Sequence, residues 1–308
     1  MFNMGNIQQI YSPEDKEKWL PEDATLWRYV PLKTLFFYLS GKIFVPSLAK
    51  LQQADPFEGT FRFDTKDFEA GLKTVCADRF NEVQKWIRKE LWTPGERTFN
   101  EKNPIFATGT DSARYFEFLS RTRYAWCWFQ FDLESDAMWK IYGKEGVAIA
   151  TTIEKLSAAL KATNYDFEFG KMCYYHRHGR FSDAEKQQFV LRPQFLKRIE
   201  YIHEQEVRFT TCAPESENGG LLLNDVKPET WIKQIRLWPT LTSQEEDSIV
   251  NAVANKLPGV PCQKSDLLQP HGKAMSQMFE DLRTFAAVKS ELHWKCCEDG
   301  VPSLLKNL

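Results

Sequence analysis

The run Glu204-Gln205-Glu206-Val207-Arg208-Phe209 sets two carboxylates and a guanidinium at alternate positions. On an extended strand, 204, 206 and 208 would face one way and 205, 207 and 209 the other. A carboxylate beside an arginine stays ionised and oriented, which suits hydrogen bonding to sugar hydroxyls or stabilising a cationic transition state. The competing reading is a solvated edge strand whose surface ion pair contributes little.

Arg28 lies in Leu26-Trp27-Arg28-Tyr29-Val30, a short strand-like run. An arginine there can grip a phosphate through two nitrogens while Tyr29 or Trp27 supplies a flat surface. Simple alternation would instead turn it to solvent. Asp55-Pro56-Phe57-Glu58 puts two acids around a proline turn. Such acids commonly tie down their own loop, and positioning a ligand is the alternative. Neither Cys173, His176 and His178 nor His293, Cys296 and Cys297 match a zinc-ligand spacing, so no metal site is expected. The chain contains no Walker loop, GxGxxG, GxSxG or HExxH. That argues against common ATPases, Rossmann dehydrogenases, α/β-hydrolases and zinc proteases.

These residues need elements to hold them. Residues 1–24 are polar and without periodicity, and read as a lead-in segment. Leu26 to Val30 reads as a strand, and Pro31 suits the first turn of a helix carrying Leu32, Leu35, Phe36 and Leu39, with Gly41 as its stop. Ile43 to Pro46 returns to strand character. Residues 64–92 read as helical and 93–110 as a polar connection, and Ser112 can cap a helix with Tyr115, Phe116 and Leu119. Tyr124 to Phe131 is the most strand-like segment; Ser135 or Asp136 then caps a short helix bearing Met138, Ile141 and Tyr142. Gly146 to Ala150 reads as a buried strand, and Thr151 with Glu154, like Ser243 with Glu246, forms a capping box.

Strand signals crowd between residues 170 and 238. The expected class is therefore α+β, with a mixed, largely antiparallel sheet and inserted helices. The expected organisation is a core domain over 25–240 with a helical insertion at about 64–120, and a C-terminal helical segment over 241–308 packed on it.

A net charge of -2 leaves no global positive field for a nucleic acid or an anionic membrane, though it leaves room for a local basic groove. Aromatics at 14% are enough to line stacking pockets as well as build a core. Seven cysteines, at 76, 127, 173, 212, 262, 296 and 297, have no framework spacing and read as reduced thiols. The chain lacks a basic-then-apolar N-terminus and any apolar run long enough to span a bilayer. The expectation is a soluble, cytoplasmic protein with no membrane partner.

Taken in order, several segments resemble a widespread bacterial family, domain of unknown function twenty-nine seventy-one. They are Trp27-Arg28-Tyr29, Asp55-Pro56-Phe57-Glu58, Cys127-Trp128-Phe129, Met138-Trp139-Lys140-Ile141-Tyr142, Gly146-Val147 and Glu204-Gln205-Glu206-Val207-Arg208. Ala54 stands where that pattern has Asn, and Gly143 shortens the stretch between Tyr142 and Gly146. More remotely, the order of elements is similar to the ADP-ribosyltransferase fold of bacterial toxins that modify DNA. There, an early strand carries a basic residue that holds NAD and leads to a helix and a glycine-ended turn. A central strand leads into a short aromatic helix, and a late strand opens on the catalytic glutamate.

The resemblance implies Glu206 as the catalytic residue and Arg28 on the pyrophosphate of NAD. It implies Tyr29, Trp139 or Tyr142 around the nicotinamide, with Glu204 and Arg208 beside them. Arg28 and Glu206 would share a pocket large enough for a dinucleotide, and Asp55 and Glu58 would form a further candidate site. The implied function is consumption of NAD as substrate, by an ADP-ribosyltransferase-like or NAD glycohydrolase-like toxin or phage-defence effector. Its partners would be NAD or another nucleotide and a nucleic-acid or protein acceptor. Two alternatives stay open: a non-catalytic nucleotide- or partner-binding domain of the same fold, and a metal-dependent nucleic-acid-processing effector using Asp55, Glu58, Glu204 and Glu206. On the catalytic reading, Glu206→Gln would leave the thermal midpoint nearly unchanged.

Overall fold

A computed structural model describes residues 7–59, 109–176 and 192–268, with isolated positions between these segments. The helix expected over 64–92, most of the connection after it, His178 and the group around His293 lie outside those segments. The strands are β1 (Ile7–Gln9), β2 (Thr25–Pro31), β3 (Ile43–Pro46), β4 (Arg123–Gln130), β5 (Gly146–Thr152) and β6 (Phe167–Lys171). They continue with β7 (Cys173–Tyr175), β8 (Leu196–Arg198), β9 (Glu206–Cys212), β10 (Gly220–Leu223), β11 (Gln234–Leu237) and β12 (Cys262–Lys264). The helices are α1 (Leu32–Leu39), α2 (Leu48–Leu51), α3 (Gly109–Thr122), α4 (Asp136–Tyr142), α5 (Ile153–Lys161), α6 (Pro228–Trp231) and α7 (Ser243–Lys256).

The class is α+β, as expected. Eight strands form one mixed sheet in the order β1-β6-β9-β4-β2-β5-β11-β12. Its inner pairs are antiparallel, and the two outermost pairs are parallel. The lead-in segment therefore joins the sheet, because Ile7, Gln8 and Gln9 pair with Phe167, Glu168 and Phe169. The C-terminal region also departs from the all-helical expectation, since α7 is followed by β12 beside β11. Two short sheets flank the main one, β3 with β10 and β7 with β8. No helix among the described residues is long and apolar enough to cross a membrane.

Alternation along the central strands builds two different faces. On one, Leu26, Val30, Trp126, Trp128, Ile149, Val207 and Phe209 join the main apolar core under α1 and α5. Four aromatics in it, Tyr38, Trp126, Trp128 and Trp231, meet edge to face at 5.0 to 6.2 Å, geometry that favours ring quadrupoles over parallel stacking. On the other face, Trp27, Tyr29, Phe129, Met138 and Trp139 pack under α4. Phe129 lies opposite Glu206 in the ladder and Cys127 opposite Arg208, so these two charged residues share that second face.

Two helix starts slip by one residue from the expected caps. Thr152, not Thr151, accepts the Lys155 N–H, while the Thr151 hydroxyl donates to the Trp231 carbonyl. Thr242 with Glu245 forms the capping box at α7, not Ser243 with Glu246. In both cases an adjacent hydroxyl does the capping, a choice that sequence spacing alone leaves open.

The main sheet is tightly zipped between β2 and β5, with seven residue pairs, but nearly open between β2 and β4, where only Leu26–Gln130 and Trp27–Phe129 pair. At the closed seam Pro31 lies opposite Gly146, and a Cβ on Gly146 would stand 2.1 Å from the Val30 carbonyl oxygen. Backbone cannot yield to that approach as a flexible side chain would. Gly146→Ala is therefore expected to cost ~3 kcal/mol in urea denaturation. A loss under ~0.5 kcal/mol, the range of an ordinary surface change, would contradict this packing.

Candidate functional site

Glu206 opens β9, which lies between β4 and β6 inside the sheet. The strand is buried from Glu206 to Thr211, so the solvated edge-strand alternative does not apply. The residue before it, Gln205, takes a left-handed conformation at φ 46°. Glu204 is therefore not part of the strand; it ends a short 3-10 helix, Ile199–Glu204. The alternating pattern expected across 204, 206 and 208 holds only for Glu206 and Arg208. Glu204 reaches the same place from the other side of the kink.

Five charged side chains meet there, all almost sealed from solvent. Lys197 Nζ lies 2.5 Å from Glu204 Oε2 and 2.8 Å from Glu206 Oε2. Arg208 donates through Nε to Glu206 Oε1 at 2.7 Å and through Nη2 to Oε2 at 3.1 Å. Glu58 completes the group: its Oε1 is 2.8 Å from Arg208 Nη2, an ion pair too poorly aligned for a hydrogen bond, and its Oε2 is 3.8 Å from Lys197 Nζ. The Glu206 side chain is only 1% accessible. Neutral groups close the remainder: the Tyr142 hydroxyl donates to Glu204 Oε1 at 2.6 Å, the Tyr174 hydroxyl accepts the Glu206 N–H at 2.8 Å, and the Gln194 carbonyl accepts from Arg208 at 2.8 Å.

Charge balance explains the protonation behaviour. Burial works to raise the Glu206 carboxyl, but Arg208 and Lys197 outweigh it and hold it well below the usual carboxylate range. Burial also raises Glu58; Arg208 and Lys197 oppose this but do not overcome it, and the Glu206 charge adds to it. Burial disfavours the Lys197 ammonium, yet Glu206, Glu58 and Glu204 keep it above the ordinary lysine range. Three carboxylates against two cations leave one negative charge in excess, and Glu58 is the carboxyl that carries the strain.

The other expected residues divide. Asp55 is a structural tie: its Oδ1 accepts from the Phe57 N–H and, at 2.8 Å, from Arg198, whose guanidinium lies 4.9 Å from the Phe57 ring centre. Glu58, from the same turn, belongs to the charge cluster. Tyr29 and Trp139 are core residues, not ligand walls. They meet edge to face at 5.1 Å; the Tyr29 hydroxyl accepts the Ser135 N–H, and Trp139 Nε1 donates to Glu134. Gly143 permits this packing, because a Cβ there would come within 2.5 Å of the Trp139 ring. Tyr142 alone of the three stays partly exposed, stacked on Phe129 at 5.3 Å.

Arg28 sits where β2 and β4 part. Its Nη1 donates to the Cys127 carbonyl and its Nε to the Tyr38 hydroxyl at 3.0 Å. The guanidinium supplies a donor to a β4 carbonyl in a stretch where β2 and β4 no longer pair. Opposite Ile149 in the ladder, Arg28 leaves the sheet on the face away from Glu206. Burial pushes the Cys127 thiol up; the Glu206 charge adds to this, and Arg208 and Arg28 oppose it. Arg28 and Glu206 are thus neighbours across one residue of β4, but the carboxylate does not line an open pocket. A concavity of about 750 Å³ lies at the far end of β4 and β9, among Arg114, Arg121, Arg123 and Cys212.

Sequence reasoning missed Lys197, Tyr174 and Gln194. Nothing near Lys197 in the chain signals that its partners include Glu58 and Glu206.

The cluster reverses the expectation that Glu206→Gln is thermally silent. It would leave Arg208 and Lys197 short of a buried counter-charge, and is expected to cost ~3–5 kcal/mol at neutral pH. Because the Glu206 value is depressed, its stabilisation is present above the ordinary carboxylate range and is lost as pH falls through the folded value. Glu58 has the opposite sign: its raised value penalises the fold above that value and not below the ordinary range. Glu58→Gln should therefore melt no lower than wild type at neutral pH, any gain shrinking toward acid, as calorimetry across pH would reveal. Equal losses in the two variants would refute the one-charge excess. No family model, curated protein or solved structure matches this chain.

Proposed function

We propose that the chain is an NAD-consuming enzyme of the ADP-ribosyltransferase-like or NAD glycohydrolase-like kind, with Glu206 as its catalytic carboxylate. One observation carries this reading: an ionised glutamate at the first position of a central strand, paired with the strand β4 whose Cys127 carbonyl binds the arginine of an early strand. That early strand runs into α1 and the left-handed Gly41, and β4 runs on to the short aromatic helix α4. This is the order the resemblance implies.

In this chemistry the bond between the nicotinamide nitrogen and the ribose carbon breaks. The nitrogen keeps the electron pair, nicotinamide leaves neutral, and positive charge develops on the ribose. Water or an acceptor then attacks that carbon and gives up a proton. A carboxylate held on a ribose hydroxyl favours the charged state over the ground state. Glu206 would supply it from a strand that fixes its direction. Glu204, bound by the Tyr142 hydroxyl, would orient the same ribose. Arg28 leaves the sheet on the opposite face and would not reach that dinucleotide's pyrophosphate; the Tyr142–Phe129 stack would offer a flat surface for a base. A cytoplasmic toxin or phage-defence role, with a nucleic-acid or protein acceptor, belongs to the same proposal.

A second reading has its own observation. Both Glu206 oxygens are already engaged by Lys197 and Arg208, as in a purely structural centre. The chain would then be a non-catalytic nucleotide- or partner-binding domain.

Incubating the purified chain with NAD, with and without nucleic acid, and measuring free nicotinamide separates the two. The enzyme reading expects release, and a fall of ~100-fold or more in Glu206→Asp, which keeps the charge but withdraws it by one methylene. No release from folded wild type under either condition ends that reading. An NAD-dependent rise in melting temperature without release would favour the binding domain.

A further inference from the structure

Lys197 is an autoinhibitory contact: we infer that its ammonium stands where a ligand's positive charge must come, and that it leaves when a cationic group enters. This rests on the reading of Glu206 as the site carboxylate and adds how that site is closed and opened. Lys197 bridges Glu204 and Glu206 at 2.5 and 2.8 Å, and its ammonium lies 4.9 Å from the centre of the Tyr201 ring. Two carboxylates and an aromatic face are the surroundings that recognise a flat cation such as a pyridinium.

Of the two cations on Glu206, Arg208 is built into the same central strand two residues on. It is anchored further by the Gln194 carbonyl and Glu58. Lys197 comes from β8, a three-residue strand that among the described residues pairs with the equally short β7, and the 3-10 helix Ile199–Glu204 follows it at once. Its long flexible stem can withdraw a point charge that the planar, multiply bonded Arg208 cannot.

Exchange also solves an energetic problem. Baring Glu204 and Glu206 without a partner would strand buried charge, which desolvation opposes strongly. Trading the ammonium for a ligand cation keeps the count of charges constant throughout. A neutral ligand has no such route, so the closed site discriminates by charge as well as shape.

The test uses the full chain and 1-methylnicotinamide, a permanent pyridinium cation, with neutral nicotinamide as control, titrated by calorimetry. Lys197→Gln should bind the cation at least tenfold more tightly than wild type, Lys197→Arg should resemble wild type, and nicotinamide should not distinguish the three. If Lys197→Gln does not fold, the charge-balanced Lys197→Gln/Glu204→Gln chain takes its place with the same expected direction. Equal or weaker cation binding by the folded variant, or the same gain for nicotinamide, overturns the latch. Nicotinamide release from NAD by wild type decides the enzyme reading separately: turnover with no gain in cation binding sinks the latch alone.

Discussion

Burying three carboxylates with two cations is the constraint around which this fold is arranged. Charges removed from water must find partners with good geometry, or the desolvation cost exceeds the attraction. The protein meets that demand from four separate parts of the chain: the turn carrying Glu58, strand β8 with Lys197, the end of the 3-10 helix with Glu204, and β9 with Glu206 and Arg208. Tyr142, Tyr174 and Gln194 then occupy positions that a purely ionic cluster would leave unsatisfied. In a site assembled in this way, withdrawing a cation without replacing its charge strands a buried carboxylate.

Two irregularities in the backbone make the arrangement possible. The left-handed Gln205 breaks the alternation just before the central strand. Glu204 and Glu206, which would project in parallel from a regular strand, instead approach Lys197 as two arms of a clamp. The parting of β2 from β4 is the other irregularity. It gives the Arg28 guanidinium a carbonyl of β4 to bind and lets its charge act through the sheet on Cys127. Strain in one place and missing ladder bonds in another are features that recur where a fold positions chemistry.

The turn Asp55-Pro56-Phe57-Glu58 illustrates how one short motif can serve two ends. Asp55 faces Arg198 and fastens the turn to the end of β8, while Glu58 enters the buried cluster. The neighbouring basic residues Lys197 and Arg198 divide in the same manner, one to each acid group. Two acids of one turn and two adjacent bases thus tie the turn to β8 twice, once through a partly accessible guanidinium and once through a buried ammonium.

Hydrophobic periodicity and turn chemistry in the sequence were enough to determine the α+β class, the β2–α1–β3 opening, the strand over Tyr124 to Gln130 and a helix start at Ser135 or Asp136, because these depend on local spacing. The pairing of Glu206 with Arg208 was legible for the same reason: two residues apart on a strand, they share a face. Tertiary structure alone decided that this strand is central and not an edge, that Tyr29 and Trp139 are core, and that β1 and β12 close the two ends of the sheet. It also decided that Lys197 lies between Glu204 and Glu206. Burial and long-range ion pairing depend on which distant segments meet, and no local pattern encodes the partner of a lysine.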